Sequence, residues 1–72
     1  MEFYEVLPAL LEGKTIYYPQ QGGKWLYTWE AANDYILKYQ YVDDDDGKII
    51  EEGETENLSA YRMTDDTWGI YE

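Results

Sequence analysis

The spacing of apolar residues changes several times along the chain, and each change marks an element. From Met1 to Gly13, Phe3, Val6, Leu7, Leu10 and Leu11 recur at helical spacing and form one apolar stripe, which predicts a short amphipathic helix. Pro8 interrupts that pattern by deleting a backbone hydrogen bond and crowding the preceding turn, so the helix is expected to begin near Glu5 or to kink. Gly13 followed by Lys14 is a C-terminal stop, because glycine takes the left-handed cap without steric cost. Thr15 to Tyr18 is a β-branched and aromatic run, and Lys24 to Trp29 alternates Trp25, Tyr27 and Trp29 against Leu26 and Thr28; both predict strands. Pro19 to Gly23 between them reads as a turn, and Glu30 to Asp34 as a loop or a single helical turn.

The stretch Tyr35 to Glu52 carries the strongest strand signal. Tyr35, Leu37, Tyr39 and Tyr41 fall on one face of an extended segment, and Ile36, Lys38, Gln40 and Val42 on the other. Four aspartates and Gly47 follow, then a second short strand from Lys48 to Glu52, so Asp46-Gly47 marks a hairpin. Gly53 to Glu56 is polar and expected to be exposed. Asn57 or Ser59 is placed to cap a short helix through Leu58, Ala60, Tyr61 and Met63. Thr64 to Asp66 reads as a turn and Thr67 to Tyr71 as a last strand. The expected architecture is α+β: an N-terminal helix packed on an antiparallel sheet of about five strands, with a short second helix before the last strand. Residues 1–72 are read as one domain.

Composition sharpens this picture. A chain of 72 residues buries only about 60% of its unfolded surface, so its core is small. There are no cysteines to staple it, but nine tyrosines, three tryptophans and Phe3 each bring a large contact area. An aromatic strand face also invites self-association, and a homo-oligomer is one expectation. The N-terminus is acidic where a targeting segment would be basic, and no apolar run approaches ~18 residues, so the sequence points to the cytoplasm and away from membranes.

The net charge of −11 is unevenly placed. Asp43 to Glu56 holds eight acids and one lysine, whereas residues 1–42 hold five acids and three lysines. Such a chain repels nucleic-acid phosphates and suits a basic protein partner, including one that ordinarily holds nucleic acid; the plain alternative is that the acids keep an aromatic-rich domain soluble. Glu52, Glu54 and Glu56 alternate, and in an extended chain would point one way about 6.6–7 Å apart, comparable to neighbouring phosphates of a nucleic-acid strand.

Several chemistries are excluded. Without histidine or cysteine there is no serine–histidine or cysteine–histidine pair and no common zinc site. The acids sit in turns where water keeps them ordinary, so no enzyme and no cofactor is expected. The Asp43–Asp46 cluster fails the calcium-loop template: with Gly47 at the sixth position, Val42 stands first and Gly53 twelfth, so no metal site is expected. Trp25, Tyr27, Trp29, Tyr39 and Tyr41 read either as a platform for a nucleobase or as the core and an interface, and a chain this small needs them for the core.

Two stretches carry a resemblance. Phe3-x-x-Val6-Leu7-Pro8-Ala9-Leu10-Leu11-x-Gly13-Lys14-x-Ile16 and Asp65-Asp66-x-Trp68-x-Ile70-Tyr71-Glu72 resemble the two ends of small phage proteins that include the Thoeris anti-defence family of nucleotide-signal sponges. The similar segments cover about 20 of the 72 residues. The resemblance implies a compact α+β domain, often self-associating, some of whose relatives sequester cyclic-nucleotide-type immune signals between subunits. Where such proteins follow the first strand with a basic-aromatic segment, this chain has Tyr17 to Trp25 with no arginine. The acidic hairpin is similar in character to small acidic anti-CRISPR proteins that block the DNA-binding groove of a Cas nuclease.

The leading expectation is therefore a phage or mobile-element anti-defence protein that binds a basic, nucleic-acid-handling surface of an immune effector such as a Cas nuclease. Asp43, Asp44, Asp45, Asp46, Glu51, Glu52, Glu54 and Glu56 would form the charged contact, with Tyr39 and Tyr41 as anchors. The alternative is a sponge for a cyclic-nucleotide-type signal, with Lys24, Trp25 and Tyr27 stacking on and neutralising the ligand.

Overall fold

A computed structural model describes residues 1–29, 37–55 and 58–71. Its elements are α1 (Phe3–Leu11), β1 (Thr15–Gln20), β2 (Gly23–Trp29), β3 (Leu37–Asp43), β4 (Ile49–Thr55), α2 (Ala60–Met63) and β5 (Gly69–Tyr71). The expected 30–34 connection, Tyr35 and Ile36 at the head of the third strand, Glu56 and the cap candidate Asn57 lie outside the described residues. The fold is the α+β arrangement that the sequence pattern predicts. All five strands form one antiparallel sheet in the order β4-β3-β2-β1-β5.

The helix starts earlier than Pro8 alone would allow. Glu2 and Glu5 form a reciprocal capping box, the Glu2 backbone N–H donating to Glu5 Oε1 at 3.2 Å. Pro8 lies inside the helix, and Tyr4, whose carbonyl thereby loses its partner, is exposed to water. The helix ends as expected. Gly13 takes φ 92°, its N–H donates to the Leu10 carbonyl, and the Lys14 N–H donates to Ala9. Leu11, expected on the apolar stripe, is exposed, and Ala9 takes its place beside Val6 and Leu10.

Register puts Tyr18, Trp25, Tyr27, Tyr39 and Tyr41 on one side of the sheet. Ile16 lies opposite Tyr27 and Tyr18 opposite Trp25; Tyr39 and Tyr41 of β3 then lie opposite Tyr27 and Trp25. This is the face that α1 covers, and Val6, Leu10, Ile16, Tyr27 and Trp68 make the core. The expected last strand is shorter than Thr67 to Tyr71, because Trp68 leaves the sheet and turns inward. Its ring meets Phe3, Tyr18 and Tyr27 at 5.2, 5.0 and 5.6 Å between centroids, and its Nε1–H donates to the Arg62 carbonyl.

Two strands outrun their sequence signals. Pro19 and Gln20 stay in β1, leaving only Gln21-Gly22 as the connection to β2. Gly53 and Glu54, expected in an exposed segment, belong to β4. A Cβ at Gly53 would sit 2.9 Å from Tyr39 Oη, so the tyrosine ring occupies the space a side chain would have filled. The β3–β4 register shifts between Tyr41 and Val42, with Ile50 as the extra residue.

Candidate functional site

The acidic hairpin is built by local hydrogen bonds. Asp43 ends β3, and its Oδ1 accepts the Asp45 N–H at 2.8 Å; Asp46 Oδ1 accepts the Lys48 N–H at 2.9 Å. These side chains stand in for missing ladder partners, which is why aspartate suits both positions. Gly47 supplies the positive φ, 72°, that lets the chain reverse. The side chains of Asp44 and Asp45 take part in neither of these turn bonds, and Lys24 Nζ lies 3.7 Å from Asp44 Oδ1. Asp44, Asp45 and Asp46 are exposed, as are Glu51, Glu52 and Glu54.

The strand sorts these acids by face. Glu52 lies opposite Gln40, whose Nε2 donates to it at 3.4 Å, and Glu54 lies opposite Lys38, so both project from the face that α1 leaves open. Glu51 lies opposite Tyr41 on the helix-covered face. The open face is concave, and a cavity of about 610 Å³ runs across it from Tyr71 and Thr15 over Leu26 to Glu52 and Glu54. Lys24 joins this face, its Nζ 5.6 Å from the Tyr71 ring centroid.

Tyr39 and Tyr41 are not on the same face as Glu52 and Glu54. They stack against Trp25 at 5.7 and 4.7 Å, and Tyr41 Oη donates to the Gln21 carbonyl at 3.0 Å. Lys24 is likewise separated from Trp25 and Tyr27 by strand alternation, and Tyr27 is buried. The trio Lys24, Trp25 and Tyr27 therefore does not converge on one site.

A residue that sequence reasoning passed over takes the cationic position instead. Arg62, on α2, places its guanidinium 4.6 Å from the Trp25 ring centroid and 5.6 Å from that of Tyr18, and donates to Tyr27 Oη. Beside it lies a cavity of about 370 Å³ lined by Trp25, Tyr39, Glu51, Glu54, Thr55, Ser59 and Arg62. Desolvation raises the Tyr27 phenol pKa, and Arg62 opposes that shift. Tyr18 Oη donates to Asp65 at 2.8 Å; this bond raises the tyrosine pKa and lowers that of the carboxylate. The sequence feature that could have marked Arg62 is that it is the chain's sole arginine among so many rings.

Among the described residues, no group of three or more acids, histidines or cysteines is placed to hold a metal ion. No helix there is long and apolar enough to cross a membrane. Comparison of the chain with protein families, with curated proteins and with solved structures finds no match.

Proposed function

We propose that this chain is a non-enzymatic anti-defence inhibitor of phage or mobile-element origin. In this reading its acidic hairpin docks on a basic, nucleic-acid-handling surface of a bacterial immune effector, a Cas nuclease being the leading candidate. It acts in the host cytoplasm and blocks DNA or RNA binding by occupying the groove. The observation that carries the reading is the exposure of Asp44, Asp45, Asp46, Glu51, Glu52 and Glu54 along a hairpin tip and the β4 side of the sheet. Charge placed this way speeds encounter with a cationic groove and repels bare nucleic acid. Tyr39 and Tyr41 serve the hairpin as its packed base, since both are stacked on Trp25. The test is inhibition of DNA binding by a purified Cas nuclease, comparing the native chain with a variant carrying Asp44→Lys, Asp45→Lys, Glu52→Lys and Glu54→Lys. Loss of inhibition is expected; undiminished inhibition would sink the mechanism.

A second reading keeps the sponge for a cyclic-nucleotide-type signal. Its support is the cavity beside Arg62, where an aromatic wall, a cation and two hydroxyl-bearing residues meet. Glu51, which shares the face of this cavity, opposes an anionic ligand, which places this reading second. It predicts a thermal shift with cyclic nucleotides that survives neutralising the hairpin tip and disappears in Arg62→Ala.

A further inference from the structure

The sheet has two edges, and they differ in length. β5 offers three residues and β4 offers seven. Among the described residues β4 pairs with β3 along one side only. An unpaired strand edge presents a row of backbone donors and acceptors that templates a further strand, and proteins commonly blunt such edges against like copies with charged side chains, lysine above all, or with proline, a bulge or short length. From Ile49 to Thr55 there is neither proline nor lysine. The bulge at Ile50 lies near the start of the strand and leaves Glu51 to Thr55 in unbroken register with Leu37 to Tyr41. Ile49 and Ile50 are 51% and 62% exposed, an apolar contact waiting at one end of that edge.

We propose that the outer edge of β4 accepts an extended basic segment of the partner as a sixth strand. The inference rests on the acidic-docking reading and specifies how docking occurs. Charge selects the occupant. In an antiparallel pairing of β4 with a second copy of itself centred on Gly53, Glu52 and Glu54 would meet each other across a gap of about 4.5–5.5 Å, and like charges directly opposite are destabilising. The same acids favour a strand with lysine or arginine at every second position. Glu52 and Glu54 share a face, one strand repeat of about 6.6–7 Å apart, so alternate cations of the added strand fall opposite both. The apolar residues between those cations fall on the other face. Backbone pairing then holds the segment while the glutamates choose it, as in other complexes formed by strand addition.

The test uses the full chain, labelled with nitrogen-15, and the peptide Lys-Thr-Lys-Val-Lys-Thr-Lys with blocked ends. A second peptide of the same sequence and charge carries a methyl group on every backbone nitrogen. Strand addition predicts that the first peptide slows amide exchange in β4 at least tenfold and binds at least tenfold more tightly than its methylated counterpart. Glu52→Gln with Glu54→Gln should weaken the first peptide several-fold, and as both side chains are exposed the variant should fold. Equal binding of the two peptides without added protection in β4 would overturn strand addition and leave acidic docking standing. Failure of both peptides to bind at low salt would overturn strand addition and the docking reading together.

Discussion

At the scale of single residues, Arg62 shows how one side chain can tie a small fold together. Its guanidinium lies over Trp25 and bonds Tyr27, while its carbonyl receives Trp68. Removing it exposes two rings and leaves the buried Tyr27 hydroxyl unpaired. A lost cation–π contact costs about 0.5–2 kcal/mol and an orphaned buried hydroxyl about 1–3 kcal/mol. Arg62→Ala should therefore destabilise the chain by roughly 2–3 kcal/mol in urea unfolding, and Tyr27→Phe in that background should restore part of the loss. The Tyr18–Asp65 bond has a pH signature. It needs an ionised carboxylate and a protonated phenol, so the lowered Asp65 pKa contributes stability that is lost as pH falls through it. The raised Tyr18 pKa contributes stability that is lost as pH rises through it. The stability difference between the native chain and Tyr18→Phe should be flat from about pH 5 to about pH 9 and shrink on both sides.

At the scale of elements, what could be read from the sequence depended on whether a segment speaks for itself. The Gly13 stop, the alternation of Trp25 and Tyr27, and the shared face of Leu37, Tyr39 and Tyr41 are local properties, and the structure keeps them. Gly53 reads as a strand breaker, yet β4 runs through it because a ring from the neighbouring strand fills its missing side chain, which is a long-range fact. Pro8 and Pro19 likewise read as breakers and stand inside regular elements. The candidate site divides along the same line. The acidic hairpin announces itself as a charge run, whereas the Arg62 cluster joins residues far apart in sequence and has no periodic trace. Within the hairpin, the four aspartates are not equivalent. Asp43 and Asp46 hold the turn, so Asp43→Ala or Asp46→Ala should destabilise by about 0.5–1.5 kcal/mol in thermal unfolding, the usual worth of one hydrogen bond. Asp45→Ala removes charge from a crowded tip and should be neutral or slightly stabilising.

At the scale of the whole molecule, two faces and an edge divide the work. The helix-covered face spends its aromatic residues on the core, the open face is concave, and the β4 side carries the acids. A net charge of −11 on 72 residues opposes compaction and self-association at low ionic strength, and draws a cationic partner from a distance. That charge is what the proposed docking depends on. The measurement that tests it most directly is affinity capture from a lysate of CRISPR-bearing bacteria, at about 50 mM and about 500 mM salt, where screening lengths differ several-fold. The native chain and the Asp44→Lys, Asp45→Lys, Glu52→Lys, Glu54→Lys variant would be compared side by side, with bound proteins identified by mass spectrometry. The account predicts a basic nucleic-acid-binding protein held by the native chain at low salt, released at high salt, and missing from the variant. Retention of the same protein by the charge-reversed variant would contradict it.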